Sequence, residues 1–200
     1  KPEADSRCQV VVLGRPRMTV EAGEYYKHTR HLLKTVKSAL GRLRAEFDIV
    51  IMEGAGGPAE VNLKRWEITN MRIARLTSSP VLLVGDIERG GIFASMVGTL
   101  VLLSSAETAL VRGLIINKFR GELSLLQPGL EFLEKRTGKP VLGVIPYVSK
   151  LFLPEEDSLR GDEIGPGPLR DKIDIVVIAF PRISNATDFE PLQQEPDVCL

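Results

Sequence analysis

Short apolar runs rich in Val and Ile alternate along this chain with longer amphipathic stretches. A strand buried on both faces reads as a continuous apolar run, and two parallel strands need a crossover, usually a helix, between them. The alternation therefore predicts an α/β fold, a mostly parallel sheet flanked by helices. Strands are expected at residues 9–13, 49–53, 81–86, 111–117, 141–145 and 173–180. Helical spacing appears within 20–47, where Leu32, Leu33, Val36, Leu40 and Leu43 recur on one side. Further helices are expected at 68–76, 93–103 and 125–137, the last closed by Gly138 and Pro140.

At 153–172 the pattern collapses into charges, prolines and glycines, which reads as a linker. The chain then divides into a domain over 1–152, the linker, and the start of a second domain over 173–200. Two hundred residues, 44% of them hydrophobic, suffice for one core and a fragment. Lys plus Arg and Asp plus Glu number 26 each, so no summed field draws in nucleic acid or an anionic membrane. Recognition of phosphate must be local. The longest apolar runs, such as 80–85 and 100–103, fall far short of the roughly 20 residues that span a bilayer. Cys8 and Cys199 lie near opposite ends without metal-ligand spacing and read as reduced thiols, so a cytoplasmic location is expected. The opening Lys1-Pro2-Glu3-Ala4-Asp5 has no initiator Met and no secretory pattern, and reads as the interior of a longer protein.

Four expected strands end in residues that could carry chemistry, and in open parallel sheets ligands bind at those carboxyl ends. The strand at 49–53 ends in Glu53, followed by Gly54, Gly56 and Gly57. The glycines allow close backbone approach to an anion, and a carboxylate there can hold Mg²⁺. A tight turn with a solvated Glu would produce the same string. The strand at 81–86 ends in Asp86, with Arg89, Gly90 and Gly91 beyond it. Asp86 could orient a substrate and Arg89 could pair with a carboxylate or a transferring phosphate; the bland alternative is a helix cap at Asp86. Asn117, followed by Lys118, offers an amide suited to the edge of a purine, or else forms a turn. Pro146 and Tyr147 supply a stiff turn and an aromatic ring that could line a base pocket or pack in the core. No G-x-x-x-x-G-K-[ST] sequence occurs. His28 and His31, three apart with no third ligand nearby, fit a solvated helix face better than a metal site.

The string from Glu53 through Asn62, the string Asp86-Ile-Glu-Arg-Gly-Gly-Ile-Phe-Ala-Ser95 and the string Gly113-Leu-Ile-Ile-Asn117-Lys-Phe-Arg-Gly121 closely resemble the cobyric acid synthase family. Leu153-Pro-Glu-Glu-Asp-Ser158 and Pro181-Arg-Ile-Ser-Asn-Ala-Thr-Asp-Phe189 match the same family in the same order. The resemblance implies a P-loop NTPase fold of the dethiobiotin-synthetase-like kind whose N-terminal P-loop unit is missing here, followed by the opening of a glutamine amidotransferase domain. It implies ATP and Mg²⁺, a corrinoid substrate, and glutamine acting through the absent amidotransferase domain. The implied reaction is amidation of the b, d, e and g carboxylates of (adenosyl)cobyrinic acid a,c-diamide through an acyl-phosphate.

By position, Glu53 would hold Mg²⁺ and, with Asp86 and Arg89, form the catalytic set. Gly56, Gly57, Asn62, Gly90 and Gly91 would face the substrate, and Asn117, Lys118, Pro146 and Tyr147 the nucleotide. Cys199 stands outside any nucleophile elbow and is not assigned as the glutaminase nucleophile. Loss of a central strand would leave a sheet edge that invites self-association, so a homodimer is among the expected partners. A partition- or septum-type ATPase switch and dethiobiotin synthetase itself are the competing readings.

Overall fold

The computed structural model describes residues 2–4, 7–88, 90–148, 172–178 and 189–200. In chain order its elements begin with strands β1 Pro2–Ala4, β2 Arg7–Val12 and β3 Arg15–Glu21, then helix α1 Ala22–Glu46 and helix α2 Met71–Thr77. Strand β4 Val81–Asp86, helices α3 Ile92–Leu102 and α4 Ser105–Thr108, strand β5 Val111–Phe119, helix α5 Leu123–Thr137 and strand β6 Val141–Pro146 follow. The remainder is β7 Ile173–Asp174, α6 Glu190–Gln194 and β8 Val198–Cys199. The chain forms two compact units, one of Gly23–Ser149 and one of Lys1–Ala22 with Lys150–Leu200.

In the larger unit β4, β5 and β6 form a parallel sheet in that order. The expected alternation of buried strand and covering helix is borne out. Val111, Leu114 and Ile116 of β5 are almost wholly buried together with Met96 of α3 and Leu133 of α5. The sheet and these two helices share one apolar core. Gly85 permits the close approach of α3 to β4: a Cβ there would lie 2.3 Å from Ile92 Cδ1 and 2.8 Å from Met96 Cε. On the other face Leu82 and Val84 remain about half exposed.

The expected strand at 49–53 is not formed. These residues are irregular, and Ile49 and Ile51 are 80% and 92% exposed. An apolar string becomes a strand only where its backbone N–H and C=O groups find ladder partners. Among the described residues β4 pairs with β5 alone, and nothing pairs with 49–53. A second correction concerns 9–13. That run belongs to an antiparallel hairpin of β2 and β3, outside the parallel sheet. Leu13 and Gly14 both take left-handed conformations, φ 50° and 77°, which suits the twist of a two-residue hairpin turn.

The strand expected at 173–180 is confined to Ile173–Asp174, which pairs in parallel with β8; residues 175–178 are irregular and 179–180 lie outside the described residues. Most of the expected linker, 153–171, also lies outside them, as does the 181–188 stretch of the resemblance. No described helix is long and apolar enough to cross a membrane.

Candidate functional site

The parallel register brings three strand ends to one edge. Asp86 at the end of β4 is paired with Asn117 of β5, and Phe119 of β5 with Pro146 of β6. The Tyr147 N–H then donates to the Phe119 carbonyl at 2.9 Å, which keeps the aromatic turn on the same edge. Asn117 folds its side chain back locally: Oδ1 accepts the Lys118 N–H at 2.9 Å. That bond accompanies a left-handed Lys118, φ 60°, unusual for a residue with a long side chain. The turn sends Lys118 Nζ to Asp86 Oδ2, 2.9 Å away, with Glu88 Oε2 at 3.9 Å.

Glu88 in turn accepts from Arg120 Nη2 at 3.0 Å. The Arg120 guanidinium lies over the Tyr147 ring, 3.2 Å from its centroid. Asp86, Lys118, Glu88, Arg120 and Tyr147 thus form one chain of alternating charge that ends on an aromatic face. Asp86 does not cap α3. Its Oδ1 accepts the Glu88 N–H at 2.9 Å, while the N-cap of α3 is Gly91. Gly90 and Gly91 both have positive φ, 73° and 67°, with open space where a Cβ would stand. Arg89 lies outside the described residues.

Glu53 opens a second group. It is exposed and makes no hydrogen bond or ion pair with another described residue. The glycine turn after it is gripped by Asn70, whose Nδ2 donates to the carbonyls of Ala55 at 2.9 Å, Gly57 at 3.4 Å and Gly56 at 3.5 Å. Gly54 is the one residue type that fits beneath this amide, since a Cβ there would fall 1.9 Å from Asn70 Oδ1. Gly56 adopts a left-handed φ of 68°. The Glu60 carboxylate reaches back to Gly57, where a Cβ would meet its Oε1 at 2.9 Å.

Beyond the turn, Asn62 is exposed in a turn whose following residues are anchored twice. Lys64 Nζ pairs with Glu107 of α4 at 2.7 Å, and Trp66 lies 5.3 Å from the Tyr26 ring of α1. The Glu107 carboxyl is buried, which opposes ionisation. Bonds from Lys64, the Ser104 hydroxyl and the Ser104 N–H outweigh that and hold it below the ordinary range.

Asp86, Asn117, Lys118, Pro146 and Tyr147 are brought together directly, whereas Glu53, Gly56 and Gly57 belong to the group held by Asn70. Asn70, Glu88 and Arg120 are additions that the sequence pattern did not single out. For Asn70 the sequence signal, an Asn directly before a helix, points to an N-cap, a role that its side chain does not take. Arg120 and Glu88 carried none, as isolated charges beyond a strand usually mark a solvated turn.

An AAA domain family matches residues 18–154. The chain belongs to this AAA domain family. It is 51% identical over 206 residues to a cobyric acid synthase of Sorangium cellulosum (strain So ce56), covering 100% of this chain and 39% of the relative. With a cobyric acid synthase of Moorella thermoacetica it shares 52% identity over 206 residues, again 100% of this chain and 39% of the relative. One of Dehalococcoides mccartyi, strain 195, is 53% identical over 192 residues, 96% of this chain and 38% of that one. The chain spans about two-fifths of the length of these curated relatives. The resemblance read from the motifs therefore extends along the whole AAA domain and beyond it. No solved structure gives a significant match.

Proposed function

We propose that this chain is the acceptor-activating part of a cobyric acid synthase acting in the cytoplasm. The reaction is ATP-dependent amidation of the b, d, e and g carboxylates of (adenosyl)cobyrinic acid a,c-diamide, with ammonia from glutamine hydrolysed by a further domain. The reading is carried by identity of about half to cobyric acid synthases from end to end of the chain. The gathering of the ends of β4, β5 and β6 at one edge supports it.

A carboxylate is a poor electrophile until it carries a leaving group. In the proposed sequence a carboxylate oxygen of the corrinoid attacks the γ-phosphorus of ATP and ADP departs. Ammonia then attacks the acyl carbon and inorganic phosphate leaves. Two anions must meet for the first step, and neutralising their repulsion is the main task of the site. Glu53 suits Mg²⁺ because it is an exposed, hard oxygen donor with no competing cation among the described residues. Bound there, Mg²⁺ would supply the charge neutralisation.

Asp86, held by Lys118, orients the acceptor side next to the open Gly90–Gly91 backbone, and Arg89 has the role of pairing with the acceptor carboxylate. Gly56, Gly57 and Asn62 face the substrate. With Asn117 Oδ1 committed to the Lys118 N–H, the NH₂ of Asn117 is what it offers a base. Arg120 covers one face of Tyr147, and the purine takes the other, at the Pro146–Tyr147 turn.

The test is Glu53→Ala in the full-length enzyme: amidation is lost while glutamine hydrolysis persists. Normal amidation by that variant would sink the reading of Glu53. Calorimetry with the corrinoid separates this function from that of a nucleotide-cycling ATPase switch, which has no use for such a ligand.

A further inference from the structure

We infer that Asn70 is a positioning residue for the Glu53 turn, holding the backbone N–H groups of Gly56 and Gly57 outward as a paired anion acceptor. The inference rests on the proposed amidation site and adds a residue to it.

Asn70 occupies the N-cap position of α2, yet its side chain makes no cap hydrogen bond. That work is done by Glu67, whose carboxylate accepts the N–H groups of Thr69, Asn70 and Arg72. Relieved of capping, the Asn70 amide points its NH₂ at three successive carbonyls, those of Ala55, Gly56 and Gly57. Three oxygens around one nitrogen also fix which way the amide is turned. An oxygen in that place would meet three lone pairs.

The consequence follows from peptide geometry. No cis peptide bond occurs among the described residues, and in a trans peptide the N–H points opposite to the C=O. With the Ala55 and Gly56 carbonyls drawn toward Asn70, the N–H groups of Gly56 and Gly57 are turned away from it. The third peptide ends in Pro58, which has no N–H, so the pair is confined to these two donors. Neither donates to another described residue, and both glycines are exposed. Successive N–H groups around a left-handed residue form a small concave anion site, and Gly56 supplies that conformation. An anion of carboxylate or phosphoryl chemistry is what such a pair accepts, and it must displace the Glu60 carboxylate lying against Gly57 or share a cation with it.

The experiment uses the full-length enzyme with Asn70→Asp, which keeps the shape and replaces the donor by a repelling oxygen, and Asn70→Ser, which keeps a short donor. Glu53→Gln is measured in parallel. For Asn70→Asp, kcat for amidation is expected to fall about 10- to 100-fold, the scale of losing a partner that orients a site group without touching the substrate. KM for ATP should stay within about three-fold, because the loss falls on the transition state. Melting temperature and glutamine hydrolysis should hold, and Asn70→Ser should recover part of the loss. A residue of merely structural importance would instead lower the melting temperature and leave kcat per folded molecule intact.

If Glu53→Gln is inactive while Asn70→Asp keeps kcat within two-fold, the role of Asn70 is overturned and the site stands. Full amidation by Glu53→Gln overturns the site itself. Should Asn70→Asp fail to fold, Gly54→Ala displaces the same amide from below, and unchanged kcat in that variant refutes the inference equally.

Discussion

Replacing Lys64 by Met tests how the turn beyond the glycines is anchored. The Lys64 ammonium sits 2.7 Å from a Glu107 carboxylate whose side chain is 6% exposed, while the Lys64 side chain is 39% exposed. Breaking a fully buried pair from one side costs about 3–5 kcal/mol, and an exposed pair contributes about 0–1 kcal/mol. One partner here is buried and the other is well wetted. Glu107 also keeps two bonds from Ser104 after the substitution. The expected loss is therefore intermediate, about 2 kcal/mol at neutral pH.

With a urea m-value of about 2 kcal/mol/M, the unfolding midpoint should fall by roughly 1 M. Trp66, two residues away and the chain's single tryptophan, reports the transition by fluorescence. The pH dependence has a definite sign. Because the folded Glu107 carboxyl titrates below its ordinary range, its stabilisation is present above the unfolded carboxylate pKa and disappears as pH falls through the folded value. The gap between wild type and Lys64→Met should therefore narrow in acid. A midpoint within 0.1–0.2 M, roughly 0.3 kcal/mol, of wild type at neutral pH, or a gap that widens on acidification, would refute the reasoning.

Two further substitutions probe the sheet and its edge. Gly85→Ala forces a methyl into Ile92 and Met96 of α3, and overpacking of this kind costs about 1–3 kcal/mol; urea unfolding measures it, and an unchanged midpoint would contradict the close approach. Arg120→Ala removes a stacked, exposed guanidinium worth about 0.5–1 kcal/mol. It should raise KM for ATP about two- to five-fold without moving KM for the corrinoid, and an equal rise in both would speak against a nucleotide-side role.

Where apolar strings were flanked by partners, they announced their own structure: 81–86, 111–117 and 141–145 became β4, β5 and β6 with small changes at the ends. The run at 49–53 is as apolar as these and is not a strand, because composition carries no information about whether a neighbour completes the ladder. The β2–β3 hairpin was missed for the opposite reason. Its turn is Leu13-Gly14 rather than a strongly signalled Asn-Gly, so two strands read as one strand and the approach to a helix. At the site, Glu53, Asp86 and Asn117 were legible because strand ends are where α/β sheets bind. Asn70 and Arg120 act across folded distance, through a carbonyl cluster and a ring face, and no local pattern encodes such contacts.

The fit of Gly54 beneath the Asn70 amide has a consequence for how this region can change over evolutionary time. Any side chain at 54 drives the amide out, and any larger group at 70 collides with position 54 or loses the carbonyls. A lone substitution at either place therefore passes through a variant whose turn has lost this clamp or kept it in weakened form. The two positions are expected to change together, and a lineage that alters one of them must rebuild the turn around Glu53 by other means.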